Sequence, residues 1–123
     1  MSHTAKNTMP VEANHKWLKR LNNILDEHLA ETDLDNERLA DLMNISERQF
    51  YRKVKAATQQ TPNHYIRTYR LKKAKSFLET GTFRTEREAC FAVGYVNTTY
   101  FKKQFVSLFG KTPLQLLREN GWR

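Results

Sequence analysis

Residues 46–62 read SERQFYRKVKAATQQTP. Ser46, with Gln49 three positions on, forms the S-x-x-Q capping box that opens a helix. Phe50, Val54 and Ala57 follow at helical spacing and give that helix an inner apolar stripe. With the stripe turned inward, Glu47, Arg48, Tyr51, Arg52 and Lys55 face outward. Thr61-Pro62 ends the stretch as an N-cap followed by proline at the first position of the next helix.

The same stretch recurs further along the chain. From Ser46 to Pro62 is 16 positions, and from Asn97 to Pro113 is also 16. At this offset of 51, Phe50 matches Phe101, Arg52 matches Lys103 and Val54 matches Phe105. Thr61-Pro62 matches Thr112-Pro113, and Arg67 matches Arg118. Upstream, the short helices align at an offset of 50, Leu39-Ala40 with Ala89-Cys90, so the second turn holds one extra residue. Shared caps, core positions and cationic positions make this one unit used twice.

Each unit reads as a short helix, a turn and a freshly capped second helix, which is the helix-turn-helix arrangement. In the first unit Asp35 caps the short helix, Leu34 staples onto Leu39, and the helix ends near Met43-Asn44. In the second, Thr85-Glu86-Arg87-Glu88 reads as a capping box, the short helix runs to about Val93, and Gly94 breaks it. Asn97 caps the next helix, with Phe101, Phe105, Leu108 and Phe109 inward and Gly110 at its end. Thr112-Pro113-Leu114-Gln115 opens a last helix that runs to about Asn120. Ahead of the first unit, Trp17, Leu18, Leu21, Ile24, Leu25 and Leu29 predict an amphipathic helix. Between the units, residues 61–80 predict one helix of roughly 27 Å.

The fold class is therefore all-α, with seven helices and two helix-turn-helix subdomains joined by a long linker helix. Residues 1–15 are polar, aperiodic and contain Pro10, and read as a disordered tail or linker stub. Residues 16–60 form the first lobe and 81–123 the second.

Charge says what such a pair of units meets. The chain has 123 residues and a formal net charge of +8. Residues 46–75 hold nine basic side chains and one acid, so the whole excess falls there. Residues 26–41 hold seven acids and only Arg38. A segregated basic stretch suits a polyanion. A helix-turn-helix lays its second helix in the DNA major groove and sets neighbouring helix starts on phosphates. Arg48, Tyr51 and Arg52 then reach base edges from the first unit, and Thr98, Thr99, Lys102 and Lys103 from the second. Ser46, Lys55, Thr61, Arg67, Asn97, Lys111 and Thr112 are placed for phosphates. Val106 stands where the match to Lys55 calls for a cation.

The run Ala92-Val93-Gly94-Tyr95, then Tyr100-Phe101, Phe105, Phe109-Gly110 and Thr112-Pro113, resembles the signature of the AraC/XylS family of bacterial transcription regulators. The first unit is similar through Leu39-Ala40, Ile45-Ser46, Tyr51-Arg52-Lys53, Thr61-Pro62, Tyr65-Ile66-Arg67 and Arg70-Leu71-Lys72-Lys73-Ala74. The resemblance covers about residues 17–120. It implies a seven-helix domain that binds promoter DNA sequence-specifically, with RNA polymerase as a further partner. It implies a cytoplasmic domain, monomeric in isolation, with a dimer open for a full-length protein. Most family members carry a separate sensing or dimerisation domain, so the expected role is the output domain of a larger regulator. Activation and repression stay open.

Three residues depart from the family pattern. Gln59 replaces a usual glycine, so the third helix is expected to lack a left-handed glycine cap. Glu86 replaces a usual apolar residue, which leaves the fifth helix expected to be less well anchored. Val106 removes a usual lysine.

Other classes fit the residues poorly. There is no G-x-x-x-x-G-K, G-x-S-x-G or H-E-x-x-H, so no enzyme, catalytic residue or cofactor is read. His3, His15, His28 and His64 lack ligand spacing, and Cys90 is the lone cysteine, so no metal site is read. The rival is a basic helical protein- or RNA-interaction module without sequence-specific DNA readout. Tyr95, Tyr100 and Phe101 read as core, and Trp17 and Trp122 as packing anchors.

Overall fold

A computed structural model of the chain describes residues 11–122. Among these residues seven helices follow one another: α1 (Val11–Glu27), α2 (Asn36–Leu42), α3 (Glu47–Thr58), α4 (Pro62–Thr80), α5 (Glu86–Ala92), α6 (Thr98–Phe109) and α7 (Pro113–Glu119). No strand occurs among the described residues. None of these helices is long and apolar enough to cross a membrane.

The helix starts follow their caps. Asp35 accepts the Arg38 amide at 2.9 Å. Ser46 and Gln49 complete a reciprocal box on α3, and Thr112 and Gln115 do the same on α7. The Thr61 hydroxyl accepts the His64 amide at 3.3 Å. Asn97 accepts from Tyr100. Thr85 accepts from Glu88, but the expected box is one-sided: the Glu88 carboxylate takes the Thr85 hydroxyl instead of its amide. Each satisfied N–H is one that the helix cannot bond internally, and each cap contributes about 1 kcal/mol.

Two expectations at helix boundaries change. Helix α1 begins at Val11, so residues 11–15 are helical and not tail; residues 1–10 lie outside the described residues. Periodicity cannot see this first turn, because its one apolar side chain of size, Val11, is 70% exposed. At the other boundary, Gln59 takes the left-handed conformation itself, with φ +64° and its amide on the Lys55 carbonyl. Its counterpart Gly110 has φ +77° and bonds Val106 in the same way. A non-glycine residue pays about 1–2 kcal/mol in this region, and here the Gln59 side chain recovers part of it by donating to Ala56 at 3.1 Å. Gln59→Gly is therefore expected to stabilise the protein by about 0.5–1 kcal/mol, read as a higher thermal midpoint. An unchanged or lower midpoint counts against strain at this cap.

The chain packs as two units. The first takes the described residues up to His28 together with Leu34–Ile66. Here α3 packs on α1 and α2. Leu21, Leu25, Leu39, Phe50 and Val54 are fully buried, and Trp17 packs its ring against Phe50 at 6.2 Å. Tyr65 donates to the Asn22 side chain at 2.6 Å. The second unit takes Leu29–Asp33 and everything described from Arg67 onward. Here α6 packs on α5 and α7. Leu29, Leu71, Ala74, Leu78, Ala89, Cys90, Val93, Phe101, Phe105, Leu116 and Leu117 form its core. Trp122 donates to the Glu79 carbonyl at 2.9 Å. Helix α4 thus joins the two units: its residues up to Ile66 pack with the first and the remainder with the second.

The two turns show the repeat in atomic detail. The turn between α2 and α3 is residues 43–46, and that between α5 and α6 is 93–97. Asn44 and Gly94 hold the matching positive φ, +61° and +85°. Ile45 bonds back to Ala40 at 3.0 Å, and Tyr95 to Cys90 at 3.1 Å. The extra residue of the second turn is then Val96, which lies 70% exposed.

Candidate nucleic-acid interface

Helix α3 buries Phe50 and Val54 and turns Glu47, Arg48, Tyr51, Arg52 and Lys55 outward. Tyr51 is 47% exposed, large for an aromatic side chain. A groove lined by Asn36, Glu47, Arg48, Tyr51 and Arg52 runs between this strip and the start of α2. Two guanidinium forks and a phenol on one helix face offer hydrogen-bond donors of the kind that read base edges. Lys53 points elsewhere and sits over the Trp17 ring at 6.0 Å.

Helix α6 is built in the same way. Phe101 and Phe105 are buried, and Thr99 and Lys103 are exposed. Thr98 and Lys102 are half-buried. Lys102 carries an ion pair, 3.8 Å from Glu86. Val106 stands open at 39% exposure. Leu108, expected inward, is 42% exposed, and Phe109 completes the stripe through a 4.7 Å ring contact with Phe105. The step of four from Phe101 to Phe105 to Phe109 outcompetes the step of three to Leu108. Tyr100, expected as core, is 50% exposed and touches Tyr95 at 6.0 Å between rings.

The residues assigned to phosphates divide by chemistry. Ser46, Thr61, Asn97 and Thr112 all cap helices. Capping uses a side-chain oxygen as acceptor, which leaves the hydroxyl protons of Thr61 and Thr112 and the amide group of Asn97 as donors for a phosphate oxygen, whereas the Ser46 hydroxyl also donates to Gln49 Oε1 at 3.4 Å. Lys55 and Arg67 are exposed. Lys111 sits 2.7 Å from Glu119, so its charge is partly answered within the fold.

Arg70 is a correction to the charge reading. It belongs to the basic stretch 46–75 but is only 8% exposed. Its Nη2 donates to the Glu31 carbonyl at 2.9 Å. Burial lowers its pKa, and nearby Tyr95 and Glu31 oppose that shift. Lys75 likewise pairs with Glu79 at 2.7 Å. Of the basic stretch, Arg48, Arg52 and Lys55 on α3 and Arg67 and Lys72 on α4 are exposed, so burial removes Arg70 alone.

Glu86 is a second correction. It does not loosen α5. Its Oε2 accepts the Leu114 amide at 3.0 Å while Oε1 faces Lys102, so one carboxylate ties α5 to α6 and α7.

A profile described as a helix-turn-helix domain matches residues 39–119 of the chain. The chain belongs to the AraC/XylS family of transcription regulators. Among curated relatives, this AraC/XylS domain is 32% identical over 98 residues to histidine kinase P4 of Formosa agariphila, covering 80% of the chain and 7% of that relative. It is 30% identical over 114 residues to the transcriptional activator RhaS of Escherichia fergusonii, covering 90% of the chain and 40% of RhaS. Among solved structures it is similar to the DNA-binding domain of AdpA in complex with a target DNA, with 25% identity and a TM-score of 0.72. That match covers 83% of the chain and 90% of the AdpA domain. The chain thus spans less than half the length of these curated relatives.

Proposed function

We propose that this domain binds a bipartite promoter site, with α3 and α6 in adjacent major grooves of one DNA duplex. Arg48, Tyr51 and Arg52 read bases from the first unit, and Thr98, Thr99, Lys102 and Lys103 from the second. Ser46, Lys55, Thr61, Arg67, Asn97, Lys111 and Thr112 hold phosphates. One observation carries this reading: each unit presents a freshly capped helix whose buried aromatic and aliphatic stripe leaves a donor-rich strip facing out. The AdpA domain, solved on its target DNA, supports it through the shared fold.

The same reading makes the domain the cytoplasmic output module of a larger regulator, binding DNA without a chemical step. Its support is the small share of the Formosa kinase and of RhaS that the chain matches. RNA polymerase is the natural second partner of such a module at a promoter, and a monomer suffices because two reading helices lie in one chain.

Selection from a pool of random duplexes tests this directly. The enriched sites should carry two short motifs about one helical turn, roughly 10 base pairs, apart. Enrichment of a single uninterrupted motif argues for one reading helix only. No enrichment at all returns the domain to the class of basic protein- or RNA-interaction modules.

A further inference from the structure

We infer that Glu86 is a positioning residue that sets how much positive charge the second recognition helix offers to DNA. The inference rests on the DNA-binding reading above. Glu86 opens α5 with its side chain only 21% exposed. Its two oxygens are divided between the Leu114 amide at 3.0 Å and the Lys102 ammonium at 3.8 Å. The hydrogen bond fixes the carboxylate in place, so the negative charge beside Lys102 is not a swinging surface group. It sits next to the α6 strip, where an approaching phosphate would find it repulsive and would find Lys102 partly neutralised.

The repeat supplies an internal control. At the offset of 50, Glu86 corresponds to Asn36, and at 51, Lys102 corresponds to Tyr51. Asn36 and Tyr51 line the same groove in the first unit. There the side chain is neutral, and the Asn36 Oδ1 is buried without a hydrogen-bond partner. One fold position thus carries a neutral amide beside the first reading helix and a fixed carboxylate beside the second. The domain is built to hold DNA more tightly with its first unit.

Glu86→Gln tests this, because the amide oxygen still accepts from Leu114 while the charge is gone. The variant is expected to bind the selected duplex about five-fold more tightly at low salt. The slope of log affinity against log salt should steepen by roughly 0.9, because one further full positive charge faces the DNA and displaces a counterion. In a Lys102→Met background the gain from Glu86→Gln should shrink to that from the lost repulsion alone, with no change of slope. Amine labelling read by mass spectrometry gives a measure independent of DNA, and Lys102 should label about two-fold faster in Glu86→Gln, as a released ion pair does. Unchanged labelling overturns the positioning role. Faster labelling with unchanged affinity and slope overturns its influence on DNA. Should the unmodified domain bind no duplex while labelling still responds, the positioning of Lys102 stands, and the DNA reading together with the role built on it falls.

Discussion

Gly94→Ala is expected to destabilise the protein by about 3–5 kcal/mol in denaturant unfolding, enough to abolish the second unit at physiological temperature. Two effects add. Gly94 has φ +85°, where a side chain costs about 1–2 kcal/mol. A Cβ there would also collide with the Arg70 guanidinium and approach the Leu29 carbonyl oxygen to 2.8 Å. Arg70 cannot easily yield, because it is buried and committed to the Glu31 carbonyl at 2.9 Å. Arg70→Ala alone should cost about 2–4 kcal/mol by orphaning that carbonyl and emptying its site. The pair should be strongly non-additive: with the guanidinium gone, Gly94→Ala keeps only the backbone strain and the Leu29 contact. A loss below about 1 kcal/mol for Gly94→Ala would sink this account of the turn. The matching Asn44 holds φ +61° as a residue type that tolerates it, so the first turn has no such constraint.

The second large effect is on binding. Replacing Arg48 and Arg52 together by alanine should weaken the preferred duplex by about 2–6 kcal/mol if each fork contributes the 1–3 kcal/mol of a bidentate base contact. Stability should hardly change, since both side chains are exposed. The single Arg52→Ala variant should relax preference at one base position at a cost of about 1–3 kcal/mol. Equal weakening on every duplex, with the base preference intact, would instead make these arginines phosphate contacts.

Much of this was legible in the sequence because local chemistry decides it. Ser46 with Gln49, Asn97, and Thr112 with Gln115 start helices through side chains within three residues, and the Phe50 and Phe101 stripes follow from spacing alone. What stayed hidden depends on partners far along the chain. Arg70 lies four residues from both Ile66 and Ala74, on the buried face of α4, and that spacing was a signal. Its partner Glu31 stands 39 positions away and leaves no local trace. Glu86 looks misplaced by helix pattern because Leu114, 28 positions on, is what satisfies it. The strips of α3 and α6 were readable as surfaces, whereas the tie on Lys102 was not, since an ion pair between helices has no periodicity.

The extra residue in the second turn has a practical use. Val96 points to solvent beside the α6 reading strip, and the chain's single cysteine, Cys90, is fully sealed in the core. A thiol introduced at position 96 is therefore the one a soluble reagent meets first, with no need to remove the native one. A fluorophore or spin label placed there would report on the second unit alone, turning the asymmetry between the two turns into a built-in address for spectroscopy.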